Sequence, residues 1–249
     1  MKKKIKIAIG ISFILIGVCM ISLYCFLIKK NSKVKEKAKD FIEKSVKDED
    51  EDTLYVEDDF LEKLQELFEN EDIIGFIQYE NADIAYPVVK SEDNVDYLRA
   101  DLNKNYSPFG TIFVDKRCEA DFSSVNTIIY GHHMRDGSMF GKLEDYINEN
   151  GIEGESFYIY TRDSRLEYKL VSSEIIVDNK ENFNKMVSDD KDELLEWLKP
   201  ISTRYIYDKE KDKGENFVTL ISCHYSIGRV DRFGLTGILV GSKSYKEGQ

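Results

Sequence analysis

NFVTLISC (216–223) and FGLTGILVG (233–241) decide how this chain folds. Both runs are short, rich in β-branched and aromatic residues, and separated by HYSIGRVDR (224–232), a stretch holding turn residues. Two such runs close in sequence read as paired strands of a hairpin. The same pattern recurs upstream in IIGFIQY (73–79), IAYPVV (84–89), TIFVD (111–115), NTIIYG (126–131), SFYIYT (156–161) and RLEYKLVSSEIIVD (165–178). About eight strands with few long helices predict a mainly β domain closed, or nearly closed, into a barrel. Two helical features interrupt it. ENFNKMVSDDKDELLEWLKP, from residue 181, predicts one or two helices ended by Pro200, and a shorter helix is expected over 139–149. Ahead of the first strand, Phe60, Leu61, Leu64, Leu67 and Phe68 recur at helical spacing, with Asp58 or Asp59 placed to cap the helix.

The chain has 249 residues, enough for a membrane anchor and one sizeable domain. Its 15 Tyr and 14 Phe favour β-structure, where rings pack on a pleated surface. With 47 acidic against 35 basic residues the net charge is −12. That balance argues against a nucleic-acid partner, because a phosphate backbone is bound by clustered Lys and Arg.

The N-terminus reads MKKKIK, followed by 22 uncharged residues from Ile7 to Ile28 and then Lys29 and Lys30. As a helix, that run spans about 33 Å, the thickness of a bilayer's hydrocarbon core. It ends Tyr24-Cys25-Phe26-Leu27-Ile28, with no small-residue cleavage site, so an uncleaved signal anchor is expected rather than a removed leader. Lysines flank both ends of the span, so charge alone does not orient it. Residues 31–59 form a charged stretch, Lys-rich first and then acidic through Asp48 to Asp52, expected as a linker of which part continues as helix. The expected organisation is therefore 1–30 tail and anchor, 31–59 linker, and 60–249 domain.

Cys19 and Cys25 lie in the apolar run, which leaves Cys118 and Cys223 for the domain. A domain this size does not need a bridge between them. The three histidines fall in two places: His132 and His133 close NTIIYG, and His224 follows Cys223 at the end of NFVTLISC. A thiol with a reference pKa near 8.5 needs a nearby imidazole or cation to become a nucleophile. An imidazole such as His132 holds the proton and returns it to a leaving amine. Acyl transfer also needs a group to meet the developing oxyanion. If 216–223 and 233–241 pair as a hairpin, an arginine at the start of the second strand lies opposite Cys223. Arg232 fits that place, with Arg229 as the alternative. The bland alternatives are a structural cysteine, a turn at Gly-His-His and a surface arginine. Three histidines without CxxC or HExxH make a poor zinc set, so no metal and no cofactor are expected.

TLISC (219–223) resembles the TLxTC signature of sortases, with Ser222 where Thr is more usual and Thr219 and Leu220 as its other matching positions. IIYGHHMRDGSMFGKL (128–143) resembles the stretch around the active-site histidine of class B sortases, and RFGLTGILV (232–240) resembles their final strand. IAYPVV, the helical insertion and the N-terminal helical segment are similar to class B features too. The resemblance runs from about Ile73 to Gly241 in the order His, Cys, Arg. It implies Cys223 as nucleophile, His132 as catalytic histidine and Arg232 as the arginine, with His133 a neighbour facing the other way. His224 departs from the family's pattern, and strand alternation turns it from the Cys223 face, so no catalytic role is expected for it. It also implies a cysteine transpeptidase that cleaves a C-terminal sorting motif of secreted proteins after Thr. The thioester would then pass to an amine of peptidoglycan, as precursor or crossbridge, or of a pilin. The lipid bilayer would hold the N-terminal helix, with the N-terminus inside and the domain on the extracellular face. Two rivals stand beside this. One is an L,D-transpeptidase or other cysteine peptidase, although SCHYSIGR lacks the former's Gly-Cys and near-adjacent Arg. The other is a membrane-tethered binding module whose cysteine is incidental.

Overall fold

All eight runs read as strands are strands in the computed structural model, which describes residues 2–48, 54–56, 59–148, 151–226 and 229–245. Side chains are described for these except 2–5, 8, 47, 48, 54, 55, 147, 148, 223–226, 229 and 230. Two short strands, β1 (Val46–Asp48) and β2 (Leu54–Val56), pair with each other. The strands read from sequence are β3 (Ile73–Tyr79), β4 (Ile84–Lys90), β5 (Ile112–Val114), β6 (Asn126–Tyr130), β7 (Ser156–Tyr160) and β8 (Ser164–Val177). After β9 (Ser202–Tyr205) come the last two, β10 (Phe217–Ser226) and β11 (Arg229–Ser244).

The ring runs β11, β10, β6, β5, β4, β3, β7, β8, and the pairing of β11 with β8 closes it into an eight-stranded barrel. Most neighbours are antiparallel; β4–β5 and β10–β6 are parallel. β8 is long enough to serve three partners. Along one edge it pairs β7 over Arg165–Lys169 and then β9 over Ser172–Glu174, while the other edge follows β11.

β4 shows why the strands read as apolar runs rather than alternating ones. Successive side chains of a strand face opposite ways, and both faces of β4 are covered. Ile84, Tyr86 and Val88 join the barrel core with Ile112, Ile129 and Phe157. Ala85 and Val89 join a second core, outside the barrel wall, with Phe60, Leu64, Phe76 and Tyr160. Each fully buried Leu, Ile or Phe adds roughly 1.5–3 kcal/mol relative to its exposed state.

That second core changes the reading of the stretch expected as a linker. Helix α1 runs from Lys2 to Ser45, through the first half of residues 31–59, and Ala38 and Ile42 are buried against the domain. Val34, Ala38, Phe41 and Ile42 form an apolar stripe at helical spacing, which the surrounding lysines mask in composition. The lysines serve as well: Lys35 and Lys39 each pair with Asp83 at 2.7 Å. Of the acidic run, only Asp48 lies within the described residues. Among the described residues, one helix, α1, has a segment long and apolar enough to cross a membrane, and its apolar side chains there are exposed.

α2 (Phe60–Phe68) buries Phe60, Leu61, Leu64 and Phe68, as its spacing predicts. The cap differs. Asp59 stands at its N-terminus with φ +62° and makes no side-chain capping bond; its carbonyl takes the Lys63 N–H instead. Asp58 lies outside the described residues. The short helix expected over 139–149 is a 3-10 turn at Gly141–Glu144 followed by α3 (Asp145–Asn148). The insertion is two helices, α4 (Lys180–Met186) and α5 (Lys191–Ile201), joining β8 to β9. Pro200 lies inside the last turn of α5 rather than beyond it. At the end of a helix a proline costs only one intrahelical bond, and Ser202 closes the turn with its hydroxyl and N–H on the Leu198 carbonyl.

Candidate active site

The barrel closes so that the end of β6 lies beside the end of β10. Gly131, one residue past β6, donates its N–H to the Ile221 carbonyl at 3.0 Å, tying the histidine loop to the strand that carries Cys223. No side chain fits at 131: a Cβ there would come within 2.6 Å of both Ile112 and Phe140. The loop returns on itself through the Phe140 N–H, which donates to the His132 carbonyl at 3.0 Å.

His132 is partly buried, with Nε2 2.5 Å from the carbonyl of Leu98. A carbonyl only accepts, so Nε2 carries the hydrogen and Nδ1 is the basic nitrogen. Burial lowers the His132 pKa from its usual value; the Leu98 carbonyl opposes the shift, and the charges of Arg99 and Arg232 add to it. Burial and the two arginine charges thus favour the neutral ring. Gly110, at φ +61°, makes room for it: a Cβ would meet the Leu98 carbonyl at 2.7 Å and the His132 ring at 2.9 Å. His133 turns elsewhere, to Glu144 at 3.1 Å.

The hairpin register is the one the sequence suggests. Cys223 of β10 stands directly across from Arg232 of β11, and Ser226 across from Arg229. His224 pairs in register with Asp231. The side chains of Cys223, His224 and Arg229 lie outside the described residues. Arg232 has Nη2 2.7 Å from Asp178 Oδ2, and both residues line a cavity of about 280 Å³ together with His132, Ile221 and Ser222. Leu98, Phe113 and Phe183 give the wall apolar surface, and Asn94 and Thr111 add polar groups to it. Arg117 also reaches this cavity but is already committed. It grips the fully buried Asp115 through Nε at 2.9 Å and Nη2 at 2.7 Å, while Tyr130 donates to the same carboxylate. Burial alone would raise the Asp115 pKa; the bonds from Arg117 and Tyr130 outweigh it and hold the group at about 2.

The other TLISC positions are buried. Thr219 bonds Asn126 and Thr236, each at 3.0 Å, and Leu220 belongs to the barrel core. Ser222 is buried on the cavity wall, and its hydroxyl has no hydrogen-bond partner among the described residues. Cys118 is a free, buried thiol whose Sγ accepts from the Ile128 N–H, and burial raises its pKa.

One titratable group here gave no signal in the sequence. Glu174 of β8 is fully buried next to Gly234, where a Cβ would sit 2.5 Å from the Glu174 carboxyl. Burial raises its pKa to about 7, against the opposing hydrogen bonds from Ser172 and Thr236. The folded state thus keeps a proton that the unfolded chain releases near pH 4.5. Stability is full below that point and falls as pH rises towards 7, by roughly 3 kcal/mol in all. Glu174→Gln should remove this slope. Denaturant unfolding at pH 5 and pH 8 checks it, and an unchanged difference between the two pH values would refute it.

Asp178, Gly110 and the Leu98 carbonyl were also missed by sequence reasoning. Asp178 had a faint signal, as the last residue of a predicted strand; a backbone carbonyl contact such as that of Leu98 leaves none.

A closed barrel with a histidine loop, a cysteine strand and an arginine strand meeting at one cavity has known counterparts. The chain belongs to the sortase family: the family model of the sortase domain matches residues 77–234. It is similar to sortase B of Staphylococcus aureus, 40% identical over 84 residues covering 34% of each protein, and to sortase B of Listeria monocytogenes, 37% identical over 102 residues covering 41% of each. The aligned stretches thus span well under half the length of these relatives. Similarity of structure reaches further. The crystal structure of sortase B from B. anthracis in complex with AAEK1 superimposes with a TM-score of 0.68 at 26% identity, over 86% of this chain and 98% of that one.

Proposed function

We propose that this chain is a membrane-anchored cysteine transpeptidase that cleaves a sorting motif in secreted proteins after Thr and transfers the acyl group to a cell-wall or pilin amine. Cys223 is the nucleophile, His132 the proton carrier and Arg232 the oxyanion partner. The observation that carries the reading is the register of Cys223 opposite Arg232, on the strand that hydrogen-bonds to the His132 loop. Family membership supports the chemistry, and the buried Ser222 hydroxyl offers a peptide in the cavity a polar contact.

The steps balance without an outside reagent. His132 Nδ1 takes the thiol proton, and the Cys223 thiolate attacks the threonyl carbonyl carbon. The oxyanion that forms is met by Arg232. The C–N bond then breaks, and the His132 imidazolium gives its proton to the departing amine, leaving a thioester. The acceptor amine attacks that thioester, loses its proton to His132, and releases the thiol.

In the same reading, Ile7–Ile28 is an uncleaved anchor with the N-terminus inside and the domain outside, where secreted proteins and wall precursors meet. The charged stretch then begins where the helix leaves the bilayer.

The test is a panel of sorting peptides incubated with the full chain in detergent, with products followed by mass spectrometry. Cleavage after Thr, a covalent adduct on Cys223 and a new product on adding an amine are expected. No cleavage and an unreactive Cys223 would leave a membrane-tethered binding module as the better reading.

A further inference from the structure

We propose that Asp178 is a positioning residue for Arg232, fixed in place by the helical insertion; this rests on the transpeptidase reading above. Arg232 Nη2 donates to Asp178 Oδ2 at 2.7 Å, and both side chains face the His132 cavity. An arginine carries a long, flexible side chain, and an oxyanion donor is effective only when its direction is set beforehand. A fixed carboxylate on one terminal nitrogen sets that direction.

Asp178 is held on both sides. Before it, Val177 closes the β8–β11 ladder opposite Asp231. After it, Asn179 caps α4, accepting from the Asn182 N–H at 2.8 Å. Asn182 reaches back to the Val177 carbonyl at 2.8 Å, and its Oδ1 accepts from Trp197 Nε1 of α5 at 3.2 Å. Both inserted helices therefore brace the residue that meets Arg232.

The charge also needs an explanation. A carboxylate beside a nucleophilic cysteine opposes thiolate formation. Asp178 lines the same cavity as Ile221 and Ser222 of the strand that carries Cys223, and there its charge is met by Arg232. Asp115, behind the cavity-lining Arg117, is bound up by Arg117 and Tyr130. Asp178 spends its charge on Arg232.

The experiment compares Asp178→Asn, Asp178→Glu, Arg232→Ala and the double variant Asp178→Asn/Arg232→Ala as full chains in detergent, on a sorting peptide that the parent cleaves. Asp178→Asn should lower kcat by about tenfold with KM within about twofold, because orientation rather than binding is lost. Asp178→Glu should recover part of that loss. In the Arg232→Ala background, Asp178→Asn should add no further loss, since a residue acting through Arg232 has nothing left to act on. Parent-like or faster turnover by Asp178→Asn, or an equal fractional loss in both backgrounds, would overturn the inference while the transpeptidase reading stands. A lost unfolding transition in Asp178→Asn, with activity falling only in proportion to the folded fraction, would overturn it as well. A parent chain that cleaves no sorting peptide would sink the transpeptidase reading and this inference together.

Discussion

Cys223→Ala should abolish cleavage of a sorting peptide, leaving less than about one part in 10⁴ of the parent rate, while the domain stays folded. The large effect follows from the chemistry: without the thiol there is no thioester, and neither His132 nor Arg232 replaces a nucleophile. The fold should survive because β10 joins β6 and β11 through backbone hydrogen bonds, which alanine keeps. Cys118→Ala supplies the contrast. That thiol is buried, its pKa is raised, and its sulfur is engaged by the Ile128 N–H. Its loss should cost some stability and leave turnover near that of the parent. Far-UV circular dichroism and peptide mass spectrometry on both variants check this. Normal cleavage by Cys223→Ala would remove Cys223 from the mechanism. Alkylation adds a second view, because the rate at Cys223 should depend on His132 and the rate at Cys118 should not.

How much of this was written in the sequence depended on how local the cause was. The barrel strands were legible because β-branched and aromatic runs bounded by turn residues are local signals, and all eight fell in place to within a few residues. β9 was not. STRY (202–205) has no apolar run, and it becomes a strand only because β8 presents a free edge after α5 turns back. That helix continues into residues 31–45 was expected, but its packing onto the domain was hidden in a similar way, since Ala38 and Ile42 matter only once Phe60 and Phe76 stand across from them. At the site, the opposition of Cys223 and Arg232 could be read from strand spacing and a hairpin. The contacts that shape it could not. Leu98 reaches His132 through a backbone carbonyl, Gly110 matters through a positive φ beside that ring, and Asp178 meets Arg232 across 54 residues of chain.

Arg232→Ala should lower kcat/KM by about 10²–10³, the usual effect of removing one oxyanion donor, whereas Arg229→Ala should stay within about threefold of the parent. The two arginines are the same residue type on the same strand, so the difference comes from position alone. Arg232 is in register with Cys223 and its guanidinium lines the cavity with His132. Arg229 is in register with Ser226, three residues farther along, which displaces its backbone by about 10 Å at the rise of an extended strand. Arg232→Lys should restore little, because an ammonium lacks the planar fork that engages Asp178 and an oxyanion together. Substituting either arginine leaves the β10–β11 ladder intact, so unfolding temperatures should stay close to the parent's. Steady-state kinetics on one sorting peptide decides between them. Equal losses, or a larger loss at Arg229, would mean that the functional arginine reaches the peptide from the turn end of the hairpin. The Arg232–Asp178 pair would then be a structural tie between β11 and the start of α4.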